Sequence, residues 1–352
     1  YAVGGTYQWQ KTTAGGTEFT DIAGATGTSY TTPALTLANN NEQYRVVVSA
    51  VPISQASDAA LLTVVTDDIK PTIAEVTSDD TFVKVNVKFS EPVTAPSATT
   101  AANFTLDGGV TVSGAALSTD GYTVTLTTSK LTDGANYVLT VNNVADRAGN
   151  AIVANTTVPF QAWIWTLGKA KYTYWTDIQG TAVADLTGNA NYPNNPSGFR
   201  FLDEFYALDW VPATDTFGAV VSGWVLPATT GDYVFFCCSD DGGELWLSTD
   251  DTPANKKLIA QETGWSGSKN WTGMGGGSVV ADKRSDTFAN SQWPTPNTIN
   301  LTAGNRYYIE YIYKEGGGGD NGGATWKLAA DADPLAGTSA LVGDVIGTYV
   351  PR

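Results

Sequence analysis

One stretch constrains the fold more than any other. An apolar run at residues 233–238 passes into Ser-Asp-Asp-Gly-Gly at 239–243 and leaves as Glu-Leu-Trp-Leu at 244–247. This pattern predicts two strands joined by an acidic, glycine-rich turn. A second stretch repeats it, with a strand at 307–315 and a loop at 316–323 that carries six glycines before Ala-Thr-Trp. Both loops place carboxylates on bendable backbone, as a calcium ion requires for its about six to eight oxygen ligands.

The rest of the chain also alternates as strands do. With 352 residues it is too long for one ordinary β-domain, and its 37 glycines suit short strands and tight turns. We therefore predict an all-β protein of several domains. The strongest strand patterns lie at residues 6–10, 44–49, 60–65, 83–89, 123–127, 137–141, 170–175, 199–201 and 217–226.

The six strand patterns before residue 162 resemble those of bacterial immunoglobulin-like domains. Trp9 lies on an expected middle strand, where the resemblance implies a buried ring, and Tyr44 takes the position of the corner tyrosine. The segments 89–93 and 144–150 resemble the Ig-like domains of surface-layer and adhesin stalks. Asp146 in the latter segment is expected to build a turn, with a calcium ligand as the alternative.

The opening strands of the first Ig-like domain are expected to be missing from this sequence, because about 20 residues should precede the first strand. Two explanations remain open: a truncated domain boundary, or a strand supplied by a neighbouring copy through strand exchange. The apolar segment 344–350 is a candidate strand for such exchange.

The last part of the chain resembles a PA14 domain, in particular its carbohydrate-binding branch. The matching pieces are residues 231–235, 239–242, 245–248, 303–310 and 314–321, and the resemblance covers about 164–352. It implies a third β-sandwich, and in this family the segment at 344–350 more often closes that sandwich than pairs with another chain. It also implies that two consecutive Asp residues joined by a cis peptide hold Ca²⁺, with sugar hydroxyls completing the shell. The predicted architecture is two Ig-like β-sandwich domains, at 1–66 and 67–161, and a PA14 β-sandwich at 162–352.

The resemblance and the loop chemistry together select the candidate residues. Asp240 and Asp241 are the first metal ligands, and Glu315 is a weaker candidate that could instead hydrogen-bond the loop. A Ser-Asp-Asp-Gly segment by itself would indicate a solvated hairpin turn. This sequence departs from yeast-adhesin relatives in having Asp-Asn, at 320–321, after four glycines. The predicted metal ligands are Asp240, Asp241, Asp320 and Asn321, and the predicted sugar-binding residues are Asp241, Gly318, Gly319, Asp320 and Trp271.

Residues 265–293 form a long glycine-rich stretch that contains three tryptophans, Trp265, Trp271 and Trp293. Loops of this length are usually functional or mobile. The rings either plug the flank of the sandwich or stack on sugar faces.

Composition excludes several classes of function. The net charge of −16 argues against nucleic acid and anionic membranes as partners. No apolar run is long enough for a transmembrane segment. His is absent, which removes serine-hydrolase triads and ordinary zinc sites, and we expect no enzyme activity. Cys237 and Cys238 are strand neighbours that point to opposite faces, so they are not expected to bridge each other.

These observations predict a secreted or cell-surface protein of adhesin type that binds glycans with Ca²⁺ through its PA14 domain, carried on Ig-like stalk domains. Two alternatives stay open. The chain could be a structural subunit of an extracellular filament or surface layer, with the PA14 domain in a packing role. It could also be a non-catalytic accessory region of a larger glycoside hydrolase.

Overall fold

The computed structural model describes residues 5–208, 215–295 and 297–352. The fold is all-β, as predicted, with five sheets among the described residues. Two compact units are present: one runs to Val76 and adds Asn86–Thr127 and Leu139–Val158, and the larger one holds Thr77–Val85, Thr128–Val138 and Pro159–Arg352. No helix of the described residues has the length and apolar character needed to cross a membrane.

The described chain contains 24 strands and two short α-helices. The strands of the first 161 residues are β1 Thr6–Lys11, β2 Thr20–Asp21, β3 Gln43–Ala50, β4 Ile53–Ala56, β5 Ala60–Leu61, β6 Ile73–Ser78, β7 Lys84–Phe89, β8 Phe104–Leu106, β9 Val112–Leu117, β10 Thr123–Thr128, β11 Asn136–Val141 and β12 Thr156–Gln161. The later strands are β13 Ile164–Leu167, β14 Ala170–Trp175, β15 Gly198–Leu202, β16 Tyr206–Leu208, β17 Phe217–Val225, β18 Gly231–Asp240, β19 Gly243–Ser248, β20 Lys256–Glu262, β21 Ile299–Leu301, β22 Tyr307–Glu315, β23 Asn321–Leu328 and β24 Ile346–Val350. The helices are α1 Ala95–Ala98 and α2 Val183–Thr187, and 3₁₀ turns lie at Leu37–Asn39, Ala101–Asn103, Pro253–Asn255 and Gly343–Val345.

The first segment is a single sheet of order β2-β1-β3-β4, with β5 also paired to β3. The strand expected at 60–65 is only two residues long. Trp9 is half-buried rather than buried, and Tyr44 donates to the carboxylate of Glu42 at 2.6 Å. Among the described residues 5–66 no apolar side chain is fully buried, and Val51 and Ile53 are exposed. Strand exchange remains a prediction.

The middle segment forms two sheets, β6-β7-β10-β9 and β12-β11-β8. Their inward residues alternate, as in β7, where Val85, Val87 and Phe89 are buried. Asp146 accepts hydrogen bonds from the backbone and the side chain of Asn150, both at 2.8 Å. The segment 144–150 is therefore a turn, as the sequence indicated.

The last segment is a two-layer sandwich. One layer has the order β13-β24-β17-β22-β19-β20, with β14 joining β17 and β15; the other is β16-β23-β18-β21. Alternate residues of β17, β18 and β22 fill the space between the layers, including Phe217, Phe235 and Tyr311. The candidate strand at 344–350 pairs as β24 within its own sandwich. The acidic turn 239–243 and the glycine loop 316–320 lie at one end of this sandwich, because β18 and β22 both end there.

Cys237 and Cys238 are both fully buried and unbridged. They contribute to two different apolar clusters, one between the layers and one around Trp271. This confirms that strand neighbours at this position face opposite sides.

Candidate metal centre

The ends of β18 and β22 bring three carboxylates together. One oxygen each of Asp240, Asp241 and Glu315 lies within 4.8 Å of the others. The peptide bond between Asp240 and Asp241 is cis, as the sequence resemblance implied. Asp240 is still part of its strand, in register with Asn321 of β23, so the turn predicted from residue 239 begins two residues later than expected.

Backbone hydrogen bonds hold the acidic turn against β22. The N–H of Asp241 donates to the carbonyl of Lys314 at 2.7 Å, and the N–H of Lys314 donates to the carbonyl of Gly242 at 2.9 Å. The buried hydroxyl of Tyr311 donates to Ser239 Oγ at 2.7 Å, and the Ser239 hydroxyl donates to the carbonyl of Asp241 at 2.5 Å. The position of the paired carboxylates is therefore determined by the sandwich itself.

Glycine is required beside this turn because other chain segments approach closely. A Cβ on Gly243 would lie 2.1 Å from the Tyr311 hydroxyl oxygen. On the facing loop, a Cβ on Gly319 would lie 3.1 Å from Asp240 Oδ2, and one on Gly316 would lie 3.2 Å from Asp241 Oδ2. The glycine loop thus closes on both carboxylates with its backbone. Gly317, Gly318 and Gly319 remain exposed, and Gly318 has a φ of +121° with open space around it.

Glu315, which the sequence indicated as the weaker ligand candidate, lies beside the Asp pair. It is the last residue of β22, its exposure is 0%, and neither of its carboxylate oxygens has a hydrogen-bond partner. A buried carboxylate without partners is costly, and this cost is removed when a cation binds it. The periodicity of the sequence gave no signal for this, because nearly every residue of β22 is buried on both faces.

The electrostatics of the cluster favour a cation. Burial, followed by the charges of Asp320 and Asp241, raises the pKa of Glu315 to about 8. Burial, followed by the charges of Asp241 and Asp320, raises the pKa of Asp240 to about 6. Burial also raises the pKa of Asp241, against the hydrogen bond that its Oδ2 accepts from the Gly316 N–H at 3.0 Å. Mutual repulsion of this kind is relieved by a bound divalent ion.

The other predicted ligands are placed differently. Asp320 lies close enough for its charge to raise the pKa of both Glu315 and Asp240. Asn321 begins β23, and its buried amide is used within the fold. Its Oδ1 accepts from Tyr206 at 3.0 Å and its Nδ2 donates to the Ser266 carbonyl at 3.1 Å. Glu315 is therefore the third carboxylate beside the Asp pair. Asn321 stays a predicted ligand, and its side-chain amide already has these two partners.

Trp271 corrects the expectation of a sugar-stacking ring. Its side chain is fully buried, its ring meets Tyr206 edge-on at 5.9 Å, and its Nε1 donates to the Thr338 carbonyl at 2.9 Å. Trp293 is also buried. Trp265 is 47% exposed, so it is the one of the three predicted tryptophans with a ring that a ligand can reach.

A buried lysine anchors the long loop that carries these tryptophans. Lys283 is fully buried, and its Nζ donates to the carbonyls of Asn270 and Gly273 at 2.6 and 3.0 Å and to Ser266 Oγ at 3.0 Å. Glu262 supplies the opposite charge at 3.4 Å. The N–H of Ser266 in turn donates to the Ser239 carbonyl at 2.7 Å, so the loop borders the acidic turn.

Oxygen is the only donor type in the cluster, which suits a hard cation. Ca²⁺ accepts carboxylates and backbone carbonyls in flexible geometry, and the exposed glycine loop can offer carbonyls. The orphaned oxygens of Glu315 and the close approach of Gly319 both fit such an ion.

Comparisons with known proteins agree with the two resemblances. The PA14 domain family matches residues 209–333, and the bacterial Ig-like domain family matches residues 63–163. A domain family of unknown function matches residues 1–66. The PA14 and Ig-like architecture is therefore confirmed, although the start of the PA14 match, 209–214, lies outside the described residues.

Individual relatives are similar over parts of the chain. Mouse N-acetyl-beta-glucosaminyl-glycoprotein 4-beta-N-acetylgalactosaminyltransferase 1 is 33% identical over 139 residues, which is 40% of this chain and 12% of that protein. The epithelial adhesin 6 A domain from Candida glabrata, solved with Galβ1-3GlcNAc, is 14% identical over 53% of this chain and 94% of its own, with a TM-score of 0.31. A beta-glucosidase from Kluyveromyces marxianus, solved with glucose, is 15% identical over 46% of this chain and 17% of its own, with a TM-score of 0.30.

Proposed function

We propose that the PA14 sandwich binds carbohydrate through a Ca²⁺ ion held by Asp240, Asp241 and Glu315, with Asp320 adding negative charge nearby. The observation that carries the proposal is the convergence of three carboxylates, one of them buried with both oxygens unpartnered. Vicinal hydroxyl oxygens of a sugar are hard donors that can complete the coordination shell. The exposed backbone of Gly318 and Gly319 leaves the ion accessible from outside.

Binding explains the cluster better than catalysis does. Asp240 and Asp241 are adjacent in the chain and form one cluster of carboxylates with Glu315. Hydrolysis of a glycosidic bond instead requires two carboxylates placed on either side of that bond. The PA14 match and the partial match to a transferase that acts on glycoproteins are consistent with a glycan as ligand. Ig-like domains before the PA14 domain fit a secreted or cell-surface protein of adhesin type.

A glycan array probed with and without EDTA tests this function. The wild type should bind a set of glycans in calcium that it loses in EDTA. Asp240→Asn, which removes one charged ligand at constant size, should lose the same set in calcium. Asp344→Asn is the matched control, because Asp344 is exposed at the distant Gly343–Val345 turn. Calcium-dependent binding that survives Asp240→Asn would refute the metal-bridged mechanism, and calorimetry with CaCl₂ alone would show whether the ion itself was lost.

A further inference from the structure

A pocket lies in the larger unit, well away from the candidate metal centre. Tyr308 lines it at the start of β22, whereas Glu315 ends the same strand, so the two places are about 23 Å apart at 3.3 Å per residue. The pocket has a volume of about 860 Å³, within the roughly 300–1,000 Å³ typical of small-molecule sites. All of its lining residues belong to the larger unit.

Its floor is part of an aromatic ladder on the outer face of the large sheet. Four neighbouring strands, β13, β24, β17 and β22, each contribute one ring to the ladder: Trp165, Tyr349, Trp224 and Tyr308. The last three of these rings line the pocket, and Trp165 packs beside them. Successive rings meet edge-on with centroids 5.3 to 5.4 Å apart. Gly347 leaves room for the ladder, because a Cβ there would lie 2.4 Å from the Trp165 ring. All four side chains are half-buried, so part of each ring surface is exposed.

The rim of the pocket is polar and balanced in charge. Three acidic and three basic residues line it, and two pairs are close: Lys171 lies 2.5 Å from Asp80, and Arg306 lies 3.9 Å from Asp251. The Trp224 Nε1 donates to the backbone of Asp251 at 2.9 Å, which fixes one ring against the rim. Balanced charge gives no preference for an ionic ligand, whereas paired donors and acceptors suit hydroxyl groups.

From this combination we infer a second binding site for a neutral saccharide, independent of calcium. The apolar CH face of a sugar ring packs on aromatic faces, and its hydroxyls exchange hydrogen bonds with the paired carboxylates and cations of the rim. The site goes beyond the proposed calcium-dependent function, because none of its lining residues belongs to the acidic cluster.

An array of neutral and acidic glycans, probed in EDTA with the full chain, tests the site separately from the calcium centre. The wild type and Asp240→Asn should bind the same neutral glycans. Thr132→Trp should abolish that binding, since Thr132 is exposed on the rim and a large side chain there fills the pocket without touching the core. Thr105→Trp, at an exposed position on β8 outside the pocket, is the matched control and should bind as the wild type does.

A second variant guards against an indirect effect of the bulky side chain. Trp224→Phe shortens one ring of the ladder and should weaken the best neutral hit by up to about tenfold in calorimetry, with an unchanged circular dichroism spectrum. The inference is overturned if no glycan binds in EDTA, if only acidic glycans bind, or if Thr132→Trp binds as well as Thr105→Trp. Loss of calcium-dependent binding alone would count against the proposed function and not against this site.

Discussion

Substituting Glu315 by Gln should change stability in opposite directions with and without calcium. The side chain keeps its size, and its exposure is 0% in the wild type. In the metal-free protein at pH 7 Glu315 retains a proton because its pKa is about 8, whereas the unfolded chain ionises it near the ordinary value of 4.5. Holding that proton at pH 7 costs about 3 kcal/mol at about 1.4 kcal/mol per pH unit. Solvent at the open side of the cluster screens the charges, so about 2 kcal/mol is a realistic figure.

Gln carries no such cost, so E315Q should be about 2 kcal/mol more stable than the wild type in EDTA at pH 7. Between pH 4.5 and 8 the folded wild type binds one more proton than the unfolded chain, because the pKa of Glu315 is raised in the folded state. The free energy of unfolding of the wild type in EDTA therefore falls as pH rises through that window. At pH 5.5 the advantage of the variant should shrink to below about 1 kcal/mol.

Calcium should reverse this order. At free calcium about 1,000-fold above Kd the wild type gains about 4 kcal/mol, whereas a variant without this carboxylate gains less. Urea denaturation followed by tryptophan fluorescence, in EDTA and in calcium, measures both effects. Glu75→Gln, at an exposed position of β6, is the matched control and should change neither. If E315Q is less stable than the wild type in EDTA and gains as much from calcium, Glu315 is not a ligand and the reasoning is wrong.

Three further variants test other parts of the sandwich. Asp241→Asn should lower calcium affinity at least tenfold in calorimetry, because it removes one charge from the cluster while the fold in EDTA is kept. Lys283→Met should cost about 3–5 kcal/mol in urea denaturation, since it leaves the buried carboxylate of Glu262 without its cation. Gly275→Ala should lower stability by about 1–3 kcal/mol, because the new Cβ would lie 1.8 Å from a backbone oxygen, whereas Gly267→Ala has open space and should be neutral in the same thermal-melting series.

The sequence predicted two strands of the last segment to the residue. The alternation at 170–175 marks β14, and the aromatic and apolar run at 307–315 marks β22. The end of β18 and the start of β23, next to the candidate site, were placed less well. The pairing of Asp240 with Asn321 extends the ladder between β18 and β23 into two segments whose Ser, Asp, Asn and Gly residues are typical of loops. Turn chemistry in the sequence cannot show that a facing strand continues the hydrogen-bonded ladder.

The sequence also predicted part of the candidate site. Adjacent aspartates in a glycine-rich setting are visible in the sequence, and Asp240 and Asp241 do lie together. Asn321 and Trp271 were assigned outward roles, yet both are buried. Asn321 donates to the Ser266 carbonyl and Trp271 to the Thr338 carbonyl, and both contacts join residues far apart in the sequence. The one local sign of that burial was Lys283, a lysine in an otherwise small and polar stretch, and a lone lysine is far more often solvated than internal.

The geometry of β22 determines how the two candidate sites can influence each other. Tyr308 at its start and Glu315 at its end belong to one nine-residue strand, paired along its length with β17 and for much of it with β19. Coupling between sites requires an element with two arrangements whose equilibrium both ligands change. A strand hydrogen-bonded on both sides within a packed core offers no second arrangement at low cost. Calcium at Glu315 and a saccharide at Tyr308 should therefore bind independently, and a saccharide affinity at the aromatic ladder that changed with calcium would show that the sandwich is less rigid than its ladders indicate.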